Sequence, residues 1–135
     1  MNPTLITILL VALGGGLGGM GRFWISGVVA RRYGETFPWG TLAVNASGAA
    51  CIGVLGGLLL ARDTQAVGQI PLWAGLVVGI LGSYTTVSSF SLQTLALVRS
   101  GEPLHAAMNV VGSLVLCLSA ATVGYAAVVA ITAGM

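Results

Sequence analysis

Charged residues divide the chain into long stretches that carry no charge. The stretches at residues 1–21, 36–61, 64–98 and 106–135 are each long enough for a membrane-spanning helix, which needs about 20 residues. The eight charged residues that punctuate the sequence are Arg22, Arg31, Arg32, Glu35, Arg62, Asp63, Arg99 and Glu102. The pattern is typical of a protein that crosses a bilayer several times.

The gaps between these stretches contain glycine, proline and interfacial aromatic residues, which favour turns at a membrane surface. We expect the first span to continue beyond Arg22. The sequence therefore predicts an all-α membrane protein with four transmembrane helices, at residues 4–30, 39–61, 72–98 and 104–132. Together they form a single transmembrane domain over residues 1–135.

Composition supports the bilayer as the solvent of this chain. Of the 135 residues, 56% are hydrophobic and 6% are charged, and the mean hydropathy is +1.00. Soluble domains carry about 25% charged residues. Five arginines without any lysine do not make a phosphate-binding patch, so a nucleic-acid partner is excluded, and high hydrophobicity excludes disorder. Cys51 and Cys117 lie in apolar runs, where we interpret them as small apolar side chains.

Glycine accounts for 21 residues, many of them spaced four apart within the predicted helices. Such spacing lets a second helix backbone approach closely. It predicts a homo-oligomer, while the alternative is tighter packing inside one monomer. The four pairs are Gly14/Gly18, Gly15/Gly19, Gly53/Gly57 and Gly75/Gly79.

The arginines outside the spans give only a weak orientation signal. Arg31, Arg32 and Arg99 would share one side of the membrane and oppose Arg62, and acidic residues contribute little to this bias. A chain with such a small bias can insert in either orientation.

No predicted span contains an aspartate or a glutamate. A proton-coupled multidrug exporter of similar size needs an intramembrane acid, so this class is disfavoured. The sequence has neither a metal-ligand cluster nor a Ser/His/Asp set, and its single histidine, His105, lies at the predicted start of the fourth helix. An enzyme is therefore not expected.

The polar residues inside the spans are neutral donors and one arginine. Thr41 and Asn45 lie one turn apart in the second helix, and Asn109, Ser113 and Cys117 form a stripe on the fourth. The third helix contains a dense run of hydroxyl groups at residues 82–91, GSYTTVSSFS. Beginning at Gly82, this run is predicted to interrupt the helix, which at membrane depth is tolerated where protein buries the break or a cavity adjoins it. The alternative is that the hydroxyls bond back to their own helix.

Amide and hydroxyl donors without carboxylates suit an anion. An aromatic ring offers a positive edge, so Phe90 can approach an anion edge-on. Arg22 either raises the local anion concentration at a vestibule or ties down a helix end. The residues alone indicate a path for a small anion or polar solute.

The chain resembles the Fluc (CrcB-type) fluoride channels, and the resemblance covers all four helices; the length and the four-helix layout agree too. Residues 15–23, GGLGGMGRF, are similar to the glycine-rich first helix of the family. Residues 40–48, GTLAVNASG, are similar to its GTLxVNxxG signature, and residues 82–91 are similar to its GxxTTFSTFS break.

The resemblance implies a passive channel that exports fluoride from a bacterial cell across its inner membrane. It also implies an antiparallel dimer, with one subunit inserted in each orientation and two fluoride pathways along the interface. A structural sodium ion at the dimer centre would be held by the backbone carbonyls of Gly82 and Ser83. The pathway residues implied are Asn45, Ser89, Phe90, Asn109, Ser113 and Cys117, with Arg22 at the vestibule.

The sequence departs from the family at Val87, where a phenylalanine would be expected, and at Cys117, where serine is common and a thiol is the weaker donor. Valine lacks the ring edge that would meet the anion. Three hypotheses stay open. The chain forms a conducting homodimer with an altered pore, or it is one subunit of a heterodimer whose partner supplies the missing ring, or it is a non-conducting assembly subunit.

Overall fold

The computed structural model describes residues 2–60 and 71–133, and within these ranges every regular element is helical. Helix α1 spans Pro3–Tyr33 and α2 spans Trp39–Leu60. The third span, Pro71–Arg99, is followed by the last helix, which spans Pro103–Ala133. All four are long and apolar enough to cross a membrane, which confirms the predicted all-α, four-helix membrane fold. The predicted connection containing Arg62 and Gly68 lies outside the described residues.

The third span is not one continuous α-helix. It begins with α3 (Pro71–Ala74), continues as a π-helical stretch (Gly75–Leu81) and ends its first half with α4 (Gly82–Tyr84). Thr85 and Thr86 then leave the helical conformation, and α5 (Val87–Arg99) forms the second half. The predicted break is confirmed, but it begins three residues later than Gly82. The helix after the span, Pro103–Ala133, is α6.

Local signals explain where α1 begins and ends. The side-chain oxygen of Asn2 accepts a hydrogen bond from the N–H of Thr4 (3.1 Å), and Pro3 supplies the first helical residue. The helix stops at Gly34, whose φ of 83° is a conformation that suits glycine. This stop lies beyond residue 30, where the sequence pattern placed the end of the span.

Helix α1 packs against the first half of the third span through glycines on both helices. A Cβ atom at Gly14 would lie 2.5 Å from the Gly75 carbonyl oxygen, and one at Gly18 would overlap the Ile80 carbonyl. From the other side, a Cβ at Gly79 would lie 2.9 Å from the Val11 carbonyl oxygen. The two backbones therefore approach each other too closely for any larger residue.

Helices α2 and α6 pack in the same manner. A Cβ at Gly53 would overlap the Ala121 carbonyl, and one at Gly57 would lie 2.8 Å from the Val128 side chain. Three of the four glycine pairs therefore serve packing within the chain, and for these pairs the prediction of an oligomer contact was wrong. Gly15 and Gly19 have nothing within 4 Å of a would-be Cβ.

Most large apolar side chains point away from the bundle. Among the residues whose burial the structure describes, the buried apolar core is limited to Phe37, Leu42, Val44 and Ala106. Of the 31 residues of α6, only Ala106, Asn109 and Gly124 are buried. Large apolar side chains on the outside of the bundle suit a bilayer, because lipid tails solvate apolar side chains as well as a protein core does.

Candidate functional site

The break in the third span is held by a side chain from a different helix. At Thr86 the backbone is extended (φ −152°, ψ 120°), so its N–H and C=O leave the helical pattern. The N–H donates to Oδ1 of Asn45 (2.8 Å), and Nδ2 of Asn45 donates to the Thr86 carbonyl (2.9 Å). An unpaired backbone group costs free energy inside a membrane. The two hydrogen bonds to Asn45 pair both main-chain groups of Thr86 and so allow the break at that depth.

Five hydroxyl groups of the run at residues 82–91 form two sets. Ser83 and Thr85 bond back to their own helix, through Ser83 Oγ to the Gly79 carbonyl (2.6 Å) and Thr85 Oγ1 to the Leu81 carbonyl (2.9 Å). For these two residues, the alternative prediction that the hydroxyls bond back to their own helix is confirmed. The second set is a cluster of three hydroxyls at the start of α5, in which Thr86 Oγ1 lies 3.1 Å from both Ser88 Oγ and Ser89 Oγ.

Diversion of the Thr86 N–H also affects Gly82, four residues earlier. In an uninterrupted helix this N–H would donate to the Gly82 carbonyl, but here it donates to Asn45. Gly82 is exposed on the bundle surface. Its carbonyl therefore lacks its helical donor from Thr86 and is available to another group, whereas the Ser83 hydroxyl is already engaged with the Gly79 and Ile80 carbonyls.

A cavity of about 880 Å³, here called the vestibule, extends from the loops at one end of the bundle to the break. Its wall includes Glu35 and Glu102 in the loops, and Arg22, Thr86 and Ser89 at the break. Nη1 of Arg22 lies 3.5 Å from the Thr85 carbonyl oxygen. The vestibule thus places one fixed positive charge beside the polar break.

A second cavity of about 390 Å³, here called the inner cavity, lies on the other side of the break. Asn45 and Cys117 contribute its polar side chains from α2 and α6, and Gly82, Thr85 and Val87 contribute from the third span. Val87 is 77% exposed, so no side chain of the described chain packs over it.

The two cavities bring together only part of the predicted pathway. Arg22 and Ser89 line the vestibule, and Asn45 and Cys117 line the inner cavity, together with Gly82 from the predicted sodium site. The predicted residues that line neither cavity are Phe90, Asn109, Ser113 and Ser83.

Asn109 is engaged inside the chain. Its side chain is 2% exposed, and Nδ2 donates to Thr94 Oγ1 (2.8 Å), whose hydroxyl donates to the Phe90 carbonyl (2.7 Å). In the single chain, Asn109 therefore joins α6 to α5 and does not face either cavity.

Sequence reasoning did not single out several polar residues of this region. Thr86 was predicted only as one of the six serine and threonine residues of the run at residues 82–91, although it lines both cavities. Gln93 lines the vestibule with a buried Oε1 atom that lacks a hydrogen-bond partner in the described part of the chain. Tyr84 bonds through its hydroxyl to Ser47 (2.8 Å) and joins the third span to α2. Only tertiary contacts distinguish these residues from their neighbours.

Comparison with known proteins identifies the family of the chain. Residues 9–125 match the family model described as CrcB-like protein, Camphor Resistance (CrcB). The chain belongs to this CrcB-like family. The match includes α2 and the break, where the Asn45–Thr86 pairing lies, and it confirms the resemblance seen in the sequence motifs.

Curated relatives match nearly the full chain. A protein of Rhodopseudomonas palustris (strain BisB18) named "Fluoride-specific ion channel FluC 2" is 60% identical over 128 residues, which are 94% of this chain and 96% of the relative. One of Opitutus terrae named "Fluoride-specific ion channel FluC" is 52% identical over 121 residues, 90% and 91% of the two chains. Because these relatives are named as ion channels, the prediction that the chain is not an enzyme is confirmed.

Proposed function

We propose that this protein is a fluoride-selective channel that exports fluoride passively from the cytoplasm and so relieves fluoride toxicity. The observation that carries the proposal is the polar break between two cavities, in a chain whose relatives are named fluoride-specific ion channels. Fluoride that enters a cell as neutral HF dissociates in the cytoplasm. A membrane potential that is negative inside then drives the anion out, and no coupling ion is needed.

The chemistry of the cavities supports an anion as the permeating species. Fluoride holds its water tightly, so a selective path must offer replacement donors, which hydroxyl and amide groups are able to provide. Arg22, Thr86 and Ser89 meet in the vestibule, and Asn45 continues the series into the inner cavity. None of the four spans contains a carboxylate that would repel the ion, and the two carboxylates on the vestibule wall, Glu35 and Glu102, lie in the loops.

We also propose that the channel is an antiparallel dimer in the bacterial inner membrane. Support comes from the small difference in arginine number between the two sides of the membrane and from α6, of which only three residues are buried. Phe90 and Ser113 line neither cavity in the single chain, and a second copy packed on the bundle would complete a pathway that includes them. Light scattering of the detergent-solubilised protein tests the dimer, and a monomeric mass that persists in lipid nanodiscs would contradict it.

A structural sodium ion is part of the proposal. The Gly82 carbonyl fits this role because its helical donor is diverted to Asn45, and the Ser83 carbonyl would be the second ligand. When bound, the ion would supply a positive charge that attracts the oxygen ends of these carbonyl groups. Thermal unfolding compared in sodium and in N-methylglucamine tests this assignment, because removal of sodium is expected to lower the unfolding temperature.

One observation favours a second candidate, a subunit of a heterodimeric fluoride channel. Val87 is exposed on the wall of the inner cavity, at a position where a ring would fill more of the space. A partner chain that carries phenylalanine there would supply the contact that valine cannot make.

The deciding experiment is fluoride efflux from liposomes that contain only this purified chain, with a potassium ionophore to balance charge. A fluoride electrode records release, and chloride-loaded vesicles are the matched control. Fluoride release without chloride release is the expected result. Well-folded protein that releases neither ion would contradict the homomeric channel and favour the heterodimer.

A further inference from the structure

One residue lies where the vestibule and the inner cavity meet. Among the residues that the structure describes, Thr86 alone lines both cavities. Its side chain is only 7% exposed, so it separates the two spaces as a packed group rather than as a mobile one. Thr86 is therefore the one described residue that an ion would contact from either cavity.

The hydroxyl of Thr86 belongs to a cluster that is able to change its donors. Thr86 Oγ1 accepts from the N–H of Ser89 (3.1 Å) and lies 3.1 Å from the hydroxyl oxygens of Ser88 and Ser89. Hydroxyl hydrogens rotate to suit their partners. Without an anion the three hydroxyls satisfy one another, and beside an anion each of them can turn its hydrogen toward the ion.

The backbone at this point is fixed, which makes the cluster a defined site. Both main-chain groups of Thr86 bond to Asn45, at 2.8 and 2.9 Å. Arg22 lies next to the preceding carbonyl, that of Thr85, on the vestibule side. The position of the Thr86 hydroxyl is therefore set by α2 and does not depend on fluctuations of a loop.

We propose that Thr86 is the crossing point between the vestibule and the inner cavity, where its hydroxyl donates to the passing fluoride while Asn45 positions it. This assignment rests on the proposed function. Neighbouring Thr85 provides the contrast, because it lines the inner cavity only and its hydroxyl donates to the Leu81 carbonyl (2.9 Å). Thr85 is therefore not expected to contribute a free donor.

Thr86 also caps α5, so the test must separate capping from ion transfer. Aspartate and asparagine are both good helix caps and have nearly the same size. Thr86→Asp places a negative charge at the crossing point, whereas Thr86→Asn keeps it neutral and retains a donor. The variants are compared with the wild-type chain by fluoride efflux from liposomes and by thermal unfolding.

We expect Thr86→Asp to release fluoride at least about tenfold more slowly than Thr86→Asn at a similar unfolding temperature. Equal efflux from the two variants would overturn the assignment of Thr86 while leaving the channel function intact. Wild-type protein that releases no fluoride would instead overturn the proposed homomeric function.

A second pair keeps the inference testable should Thr86→Asp fail to fold. Thr86→Val and Thr85→Val each replace a hydroxyl by a methyl of similar size. Thr86→Val is expected to reduce fluoride efflux at least about fivefold more than Thr85→Val, because only Thr86 offers a donor that both cavities share. Equal losses in the two valine variants would overturn the inference.

Discussion

The side chain of Asn45 takes the place of two main-chain partners for Thr86, one as acceptor at 2.8 Å and one as donor at 2.9 Å. The family resemblance implies Asn45 as a donor to fluoride. In the structure, one of its two amide N–H groups donates to the Thr86 carbonyl and stabilises the break. The other N–H group is available to donate to fluoride. Its substitution should therefore affect stability as well as transport.

Asn45→Asp is expected to abolish fluoride efflux, because a carboxylate on the wall of the inner cavity repels the anion and opposes the Thr86 carbonyl. Asn45→Leu leaves both main-chain groups of Thr86 unpaired, which should cost about 1–3 kcal/mol for each buried group. Efflux from liposomes and thermal unfolding in detergent measure the two effects. Unchanged efflux in Asn45→Asp would remove Asn45 from the pathway.

Gly18 and Gly16 provide a matched test of helix packing within α1. A Cβ at Gly18 would overlap the Ile80 carbonyl, whereas one at Gly16 has nothing within 4 Å. We expect Gly18→Ala to destabilise the fold by about 1–3 kcal/mol and Gly16→Ala to be neutral or slightly stabilising. Unfolding temperatures in detergent are compared for the two variants. An equal loss in Gly16→Ala would indicate that a second chain packs on that face of α1.

The sequence could predict the four spans because bilayer thickness and the absence of water impose length and apolar composition directly. It could also predict the break, since a dense run of hydroxyl groups at residues 82–91 favours an interruption of the helix that protein buries or a cavity adjoins. It could not assign the individual hydroxyls. The hydrogen bonds of Ser83 and the position of Thr86 between two cavities both depend on the backbone direction after Tyr84. The pairing with α2 determines that direction.

The glycine pairs illustrate a second limit of sequence reasoning. Spacing of four residues shows that a backbone can approach closely, but it does not say whether that backbone belongs to the same chain. Gly14 and Gly75 meet within the monomer, so the spacing alone overestimated the surface left for a partner.

Val87→Phe restores the ring that the family pattern has and this chain lacks. Because Val87 is 77% exposed, the single chain has room for the larger side chain, and the fold should remain stable. If the homodimer conducts, fluoride efflux is expected to rise or stay as high as in the wild type. Val78→Phe is the control, since Val78 is also exposed on the third span but lines neither cavity. A clear loss of efflux in Val87→Phe alone would mean that this pore is built differently from the family pattern.

We expect Arg22 to contribute to transport either by attracting anions into the vestibule or by fixing the break through the Thr85 carbonyl, 3.5 Å from its Nη1. Salt separates the two effects, because the screening length shrinks from about 10 Å at 0.1 M to about 3 Å at 1 M ionic strength. Arg22→Gln removes the charge, and Arg22→Lys keeps it without the planar guanidinium. We expect Arg22→Gln to slow fluoride efflux severalfold at low ionic strength and much less in 1 M sodium glutamate, with Arg22→Lys close to the wild type throughout. A deficit in Arg22→Gln that does not change with salt, together with a similar deficit in Arg22→Lys, would instead assign Arg22 to holding the break, because a hydrogen bond to a half-buried carbonyl is poorly screened by ions in solution.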